Sequence, residues 1–337
     1  MQRNRAWVVF VALALLTLPS TGCSFFSELG AVRTFKDANL AYGRGFYEEA
    51  IELYDEVLGV IEASGGDSEV AQMLTPSYFF VANSYDSLYV TGDSSAENIH
   101  NLEEAIRYYE LASDRAPRRV PNGDGSFTDY QVLSLQYLVA AFGPNKANDP
   151  SRSEPVLRDM IQRDPENPDN YFRLAQLYEE SGLFEDAEAV YQSVRSFRAT
   201  DPVVYLQLAG FYNRAGEFEL TIDALEQRAE IEPDNPEAYY TISTFYWEKA
   251  FRDFRITQEL KNEYIGSGLE AADRALALNE RYVDALVYKN ILLRMQANET
   301  DDSDEQEALI AEADELRDLA ESLEAAQNAG VAAAEAE

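Results

Sequence analysis

A recurrence of 34 residues is the feature that most restricts how this chain can fold. Tyr171, Tyr205 and Tyr239 each begin a similar segment, in which a small residue follows four positions later and a tyrosine seven positions later. Recurrence at this length is typical of repeat architectures, in which each repeat must stack on its neighbours to bury its apolar face. The sequence therefore predicts an array of stacked repeats instead of one compact core.

The second half of the repeat has its own pattern. Ala50, Ala105 and Ala187 are each followed four residues later by a tyrosine. Small residues allow two antiparallel helices to approach closely, and large aromatic residues fill the space toward the next pair. Closing prolines follow three of the repeats, at Pro117, Pro165 and Pro233. The pattern resembles the tetratricopeptide repeat, with tyrosine in place of its tryptophan and alanine or serine in place of its glycine.

This resemblance implies an all-α fold, a right-handed superhelix of about seven helix pairs closed by a C-terminal capping helix. Ser303 and Gln306 have the spacing of a capping box that starts the last helix. The second and sixth pairs carry insertions, at 90–101 and 251–264, for which the sequence indicates no function. The predicted pairs run near 31–63, 72–117, 126–165, 168–201, 202–235, 236–281 and 283–328.

The first residues have the pattern of a secretory signal. A positive segment at 2–5 precedes an apolar run at 6–18, which is too short to cross a bilayer as a helix. Thr21, Gly22 and Cys23 resemble the lipobox of bacterial lipoproteins, although Ser20 stands where leucine is usual. This resemblance implies lipidation of Cys23, the only cysteine in the chain. An ordinary cleaved signal with an incidental cysteine is the alternative.

These patterns together predict four segments. They are a cleaved lipoprotein-type signal peptide at 1–22, a lipidated tether at 23–30, a tetratricopeptide-type solenoid at 31–328 and a disordered tail at 329–337. Ser24 is not the aspartate that retains many such lipoproteins in the inner membrane. The resemblance therefore implies anchoring in the bacterial outer membrane, facing the periplasm.

The charge of the chain limits its partners. The 61 acidic residues against 27 basic ones give a net charge of −34, which repels phosphate backbones and makes nucleic acid a poor partner. Solubility alone explains such a charge, and binding of cationic peptides or polymers is the functional alternative. The aromatic and basic residues of 251–255 either dock on the acidic surface of the chain itself or contact a partner.

The sequence offers little for catalysis or for binding metal ions. His100 is the only histidine, in a polar stretch read as a surface loop, and no nucleophile or phosphate-binding motif is present. The segment 122–128 resembles part of a calcium loop, but its first and last ligands would be Val120 and Gln131. A simple turn is therefore favoured there, and a solvated loop is favoured for the acidic run 301–305. We expect no enzyme activity, no cofactor and no metal site.

The resemblance also implies where partners bind. Tetratricopeptide superhelices use a concave groove lined by the first helix of each pair. Packing of Phe79, Phe172 and Tyr240 against neighbouring helices is an equally weighted alternative. Carried over position by position, the groove would be lined by Phe79, Asn83, Asp86, Phe172, Gln176, Glu179, Leu206, Asn213, Arg214, Tyr240, Thr244 and Trp247.

The function expected from these features is that of a lipid-anchored scaffold in the cell envelope. Its partners would be other envelope proteins or peptides, as in the lipoproteins with such repeats that assist assembly of outer-membrane, pilus or secretin complexes. The alternative is an acidic periplasmic carrier for cationic peptides or polymers.

Overall fold

A computed structural model describes residues 20–66, 68–122 and 124–334, with side chains from 27 to 328. Helices form almost all the regular structure of these residues, and one short hairpin pairs β1 (Val120–Pro121) with β2 (Phe127–Thr128). The predicted all-α class of stacked helix pairs is confirmed, whereas the handedness of the array stays a prediction. Residues 1–19 and the side chain of Cys23 lie outside the described residues, so the signal peptide and the lipidation also stay predictions.

The chain divides into two compact units, the first at Met1–Ser181 and the second at Gly182–Glu337. In unit 1, the long helices pack against their neighbours in the sequence. Its helices are α1 (Ser20–Gly43), α2 (Tyr47–Ala63), α3 (Glu69–Leu74), α4 (Ser77–Leu88), α5 (Ala96–Arg115), α6 (Tyr130–Phe142), α7 (Pro150–Arg163) and α8 (Pro168–Glu180). The tether predicted at 23–30 is therefore part of α1.

Unit 2 continues with the same kind of element. Its last helix reaches into the tail predicted at 329–337. Its helices are α9 (Phe184–Phe197), α10 (Pro202–Ala215), α11 (Phe218–Ile231), α12 (Pro236–Arg252), α13 (Gln258–Leu278), α14 (Val283–Glu299) and α15 (Ser303–Ala334).

The recurring sequence positions have the packing roles that their sizes predict. Ala50, Ala105 and Ala187 are fully buried. Tyr54 and Tyr109 are also fully buried, and each fills the space that the small residue leaves. The interiors of both units are therefore built from alternating small and large residues, as the repeat pattern indicates.

The starts and turns of the regular pairs also recur every 34 residues. Asn167, Asp201 and Asn235 each cap a helix that begins with proline, and each side chain accepts a hydrogen bond from the backbone N–H two residues later. Gly182 and Gly216 adopt φ angles of +74° and +83° in the turns that follow α8 and α10. Glycine adopts this left-handed conformation without the strain that other residues incur.

Three sequence-based expectations about local structure are wrong. His100 lies on α5 and not in a loop, because Ser95 caps this helix and shortens the insertion expected at 90–101. The second helix of the sixth pair begins at Gln258, inside the insertion expected at 251–264, because Thr257 caps it there. The cap of α15 is Asp302, whose side chain accepts from the N–H of Asp304 at 2.9 Å.

The segment that resembles a calcium loop is a simple turn, as expected. The segment 122–128 forms the turn of the β1–β2 hairpin, where Asp124 Oδ1 accepts hydrogen bonds from the N–H and hydroxyl of Ser126. No helix within the described residues combines the length and apolar character needed to cross a membrane.

Candidate functional site

Half-buried aromatic rings line neighbouring first helices in unit 1. Tyr42 on α1 lies 5.2 Å from the ring of Phe80 on α4, and Phe80 lies 5.7 Å from Tyr130 on α6. Tyr137, two turns further along α6, stacks on the buried ring of Tyr109 at 5.3 Å. We call Tyr42, Phe80, Tyr130 and Tyr137 the unit 1 face. It presents a row of rings that are neither fully buried nor freely solvated.

A chain of hydrogen bonds fixes the side chains behind this face. The Tyr42 hydroxyl donates to Asn83 Oδ1 at 2.6 Å, and Asn83 Nδ2 donates to the Tyr109 hydroxyl at 3.0 Å. The Tyr109 hydroxyl donates in turn to Asp86 at 3.4 Å, and Lys146 forms an ion pair with Asp86. Burial and the neighbouring tyrosines raise the pKa of Tyr42, so its hydroxyl stays protonated as a donor. The positive charge of Lys146 neutralises the negative charge of Asp86 in this network.

The residues predicted on α4 have divided roles. Phe79 is only 5% exposed and packs against Tyr109, Tyr130 and Tyr137, so the alternative of core packing holds for it. The neighbouring ring of Phe80 is the one on the surface. Asn83 and Asp86 lie behind the face, where they hold its rings by hydrogen bonds instead of presenting free polar groups.

On α8, the predicted residues are spread over one side of the helix. Phe172 and Glu179 are half-buried, and Gln176 is exposed and donates to Glu180 at 2.9 Å. On α10, which belongs to unit 2, Leu206 is 41% exposed and Asn213 and Arg214 are exposed near the end of the helix. All these side chains are accessible to some degree.

A second group of rings lies on α12 and α14 of unit 2. Tyr240 and Trp247 contact the ring of Tyr288 at 5.5 and 5.2 Å, and Phe251 stacks on Trp247 at 5.7 Å. We call Tyr240, Trp247, Phe251 and Tyr288 the unit 2 face. Thr244 lies between Tyr240 and Trp247 and donates to the carbonyl of Thr241. Three predicted residues thus meet on one helical stripe.

Two properties of the unit 2 face distinguish it from a solvated helix surface. Phe251 remains 66% exposed although it stacks on Trp247, and exposed aromatic rings of this kind are common anchors at interfaces. The indole N–H of Trp247 is buried and has no hydrogen-bond partner among the described residues. Burial beside Asp284 and Tyr288 raises the pKa of Tyr240 to about 12.

The loop after α12 presents the most exposed aromatic residue in the described part of the chain. Phe254 is 94% exposed at the tip of this loop. Asp253 holds the loop by accepting from Arg255 and Lys249, and these hydrogen bonds keep the pKa of its carboxyl well below the usual range. Arg252 and Arg255 are therefore engaged with nearby acids, Glu248 and Asp253.

Comparisons with known proteins identify the repeat directly. The family model described as tetratricopeptide repeat matches residues 145–209. None of the curated proteins matches the chain. One similar solved structure is the C-terminal part of a repeat-containing protein from Cytophaga hutchinsonii, which is 17% identical over 84% of this chain and 95% of that one, with a TM-score of 0.47.

Another similar structure is MamA, residues 41 to the end, from Desulfovibrio magneticus RS-1. It is 13% identical over 57% of this chain and 96% of that one, with a TM-score of 0.38. These structural likenesses are too distant to carry an argument about function. The 34-residue pattern, the helix pairs and the match of the family model nevertheless agree. The chain therefore contains tetratricopeptide repeats, which the family model matches over residues 145–209.

Proposed function

We propose that this chain is a scaffold of a bacterial cell envelope, anchored by a lipid at Cys23 in the outer membrane and facing the periplasm. The tetratricopeptide fold is a typical non-enzymatic scaffold for protein–protein interaction. The observation that carries the proposal is the presence of half-exposed rings on first helices, at the unit 1 face and at the unit 2 face. Aromatic side chains supply much of the binding energy at protein interfaces.

The pattern of residues 1–23 supports the location of the proposed scaffold. A positive start, an apolar run and a lone cysteine after small residues are what lipidation of an exported protein requires. A protein that combines such an anchor with a binding array would hold envelope proteins together. Assembly of an outer-membrane, pilus or secretin complex is the type of process that fits this combination.

Capture from detergent-solubilised membranes tests the scaffold. We expect the intact chain to recover the same partner proteins in repeated experiments, and Phe251→Ser to recover about tenfold less because an exposed anchor ring is lost. Phe127→Ser is the control, because Phe127 is 53% exposed on the hairpin and belongs to neither face. Equal recovery by Phe251→Ser and Phe127→Ser would exclude the unit 2 face as the binding surface.

The anchor has a separate test. Replacement of Cys23 by serine removes the sulfur that a lipid would modify, so we expect the protein to leave the membrane fraction while its helicity by circular dichroism stays unchanged. Two acyl chains bury many methylenes at about 0.8 kcal/mol each, so their loss should release nearly all of the protein. A Cys23→Ser protein that stays in the membrane fraction would contradict lipidation, whatever the partners are.

A second candidate function is that of a carrier for cationic peptides or polymers. The net charge of −34 attracts such ligands over long distances. One acidic, aromatic cleft in unit 2 favours this function.

A further inference from the structure

An open cleft of 490 Å³ lies between α11, α12 and α13 in unit 2, away from the rings of the unit 2 face. Tyr239 and Tyr246 form its aromatic walls, and Ile242, Ala229 and Ala271 contribute apolar surface. A cavity with aromatic and aliphatic walls can hold the methylene stem of a long side chain as well as its charged end.

Three carboxylates also line the cleft. Glu226, Glu230 and Glu270 form no ion pair among the residues that the structure describes, and Arg274 is the one cation among the lining residues. Burial, followed by the nearby charges of Asp223 and Glu230, raises the pKa of the Glu226 carboxyl. The single basic residue that lines the cleft therefore does not neutralise its whole negative charge.

Arg274 shows how this kind of surface holds a cation. Its guanidinium lies 4.5 Å from the centroid of the Tyr239 ring and donates to the Tyr239 hydroxyl at 3.3 Å. Cations gain energy on the face of an aromatic ring, and more so near carboxylates. Arg274 offsets one of the three carboxylates, so the cleft keeps a net charge of about −2 at neutral pH.

The second aromatic wall has no such cation. The Tyr246 ring packs against Phe218 and Tyr264 at 5.7 and 5.8 Å, which fixes its orientation. Its hydroxyl hydrogen-bonds with Ser267, and the charges of Glu226 and Glu270 lie close enough to help raise its pKa after the larger effect of burial. A rigid ring with carboxylates on two sides is a suitable place for an incoming ammonium or guanidinium group.

We propose that this cleft binds a lysine or arginine side chain of a basic peptide, with the stem against Tyr246 and Ile242 and the charge between Glu226, Glu230 and Glu270. This inference deepens the second proposed function and rests on it. A bare metal ion fits less well, because no group of three potential ligands close enough to hold one occurs among the described residues. The apolar walls instead match the methylenes of an organic cation.

The test uses the full chain and a hexalysine peptide with blocked ends, titrated by calorimetry at low salt. We expect the triple variant Glu226→Gln, Glu230→Gln, Glu270→Gln to weaken binding about tenfold, because each exposed charge pair contributes a factor of a few. A matched triple, Asp301→Asn, Asp304→Asn, Glu305→Gln, removes the same charge elsewhere in unit 2 and should change affinity less than about twofold.

Two single variants examine the walls of the cleft. Arg274→Gln removes the resident cation and should tighten binding several-fold, whereas Tyr246→Leu replaces the ring by a smaller aliphatic side chain and should weaken binding by about threefold. Unchanged helicity by circular dichroism shows that the variants are folded. Equal losses in the two triple variants, or no effect of either single variant, would overturn the cleft in favour of diffuse attraction.

The outcomes also separate this inference from the scaffold. Failure of the intact chain to bind hexalysine at low salt would overturn both the cleft and the carrier function, but it would leave partner capture through Phe251 unaffected. If the triple variant of Glu226, Glu230 and Glu270 loses hexalysine binding but still captures partner proteins, the cleft is a binding site of its own.

Discussion

The unit 1 face and the unit 2 face carry similar numbers of rings but hold them in different ways. In unit 1, hydrogen bonds connect Tyr42, Asn83, Tyr109 and Asp86 in series, and Lys146 neutralises the end of the series. In unit 2, Trp247 is held by ring contacts with Tyr288 and Phe251, and its N–H has no partner among the described residues. One face is fixed by directional bonds, the other by packing.

This difference has a consequence for recognition. Buried polar networks specify one geometry, because each misplaced donor or acceptor costs free energy. Stacked rings can shift with little loss, since dispersion has no fixed direction. We therefore expect the unit 1 face to be rigid and selective, and the unit 2 face to adapt to partners of different shape.

The largest effect should follow when the network of unit 1 is interrupted. Asn83→Leu preserves the size of the side chain but leaves the Tyr109 hydroxyl, which is fully buried, without its donor. The Tyr42 hydroxyl also loses its acceptor, and each lost hydrogen bond costs about 1 kcal/mol, so we expect a loss of about 2 kcal/mol in the free energy of unfolding. Urea unfolding and amide hydrogen exchange of α4 measure the loss globally and locally.

Asn298→Leu is the matched control for this variant. Asn298 is an exposed residue of α14, and the same substitution there should change the free energy of unfolding by less than about 0.5 kcal/mol. If Asn83→Leu were as mild as Asn298→Leu, the hydrogen bonds of unit 1 would contribute no rigidity, and the contrast between the two faces would disappear.

The sequence was sufficient to predict the helix pairs in which every position of the repeat has its expected residue type. Asn167, Asp201 and Asn235 recur with the same period as the aromatic residues, and the structure places each at the start of a first helix. Helix propensity, capping residues and small residues all favour the same helix boundaries at these positions, so the pattern predicts one structure. The insertions were harder, because Ser95 and Thr257 start helices outside the recurring pattern.

The candidate faces could be predicted only in part. Residues 78–80 are three consecutive aromatics, and the repeat pattern alone does not determine which ring remains on the surface. Tyr130 and Tyr137 were missed because the third repeat departs from the pattern, although their spacing of seven residues places them on one side of a helix. Lys146 pairs with a residue 60 positions earlier in the chain, a contact that no local pattern encodes.

The smallest effect should follow removal of the polar group from the unit 2 face. Trp247→Phe keeps an aromatic ring between Tyr288 and Phe251 but removes the buried N–H, which has no hydrogen bond to lose. The lost ring area and the relieved desolvation oppose each other, so we expect the free energy of unfolding to change by less than about 1 kcal/mol. Urea unfolding of Trp247→Phe and Asn83→Leu under the same conditions compares their free energies of unfolding directly. A loss as large as that of Asn83→Leu would mean that both faces depend on directional bonds, and that the unit 2 face is as selective as the unit 1 face.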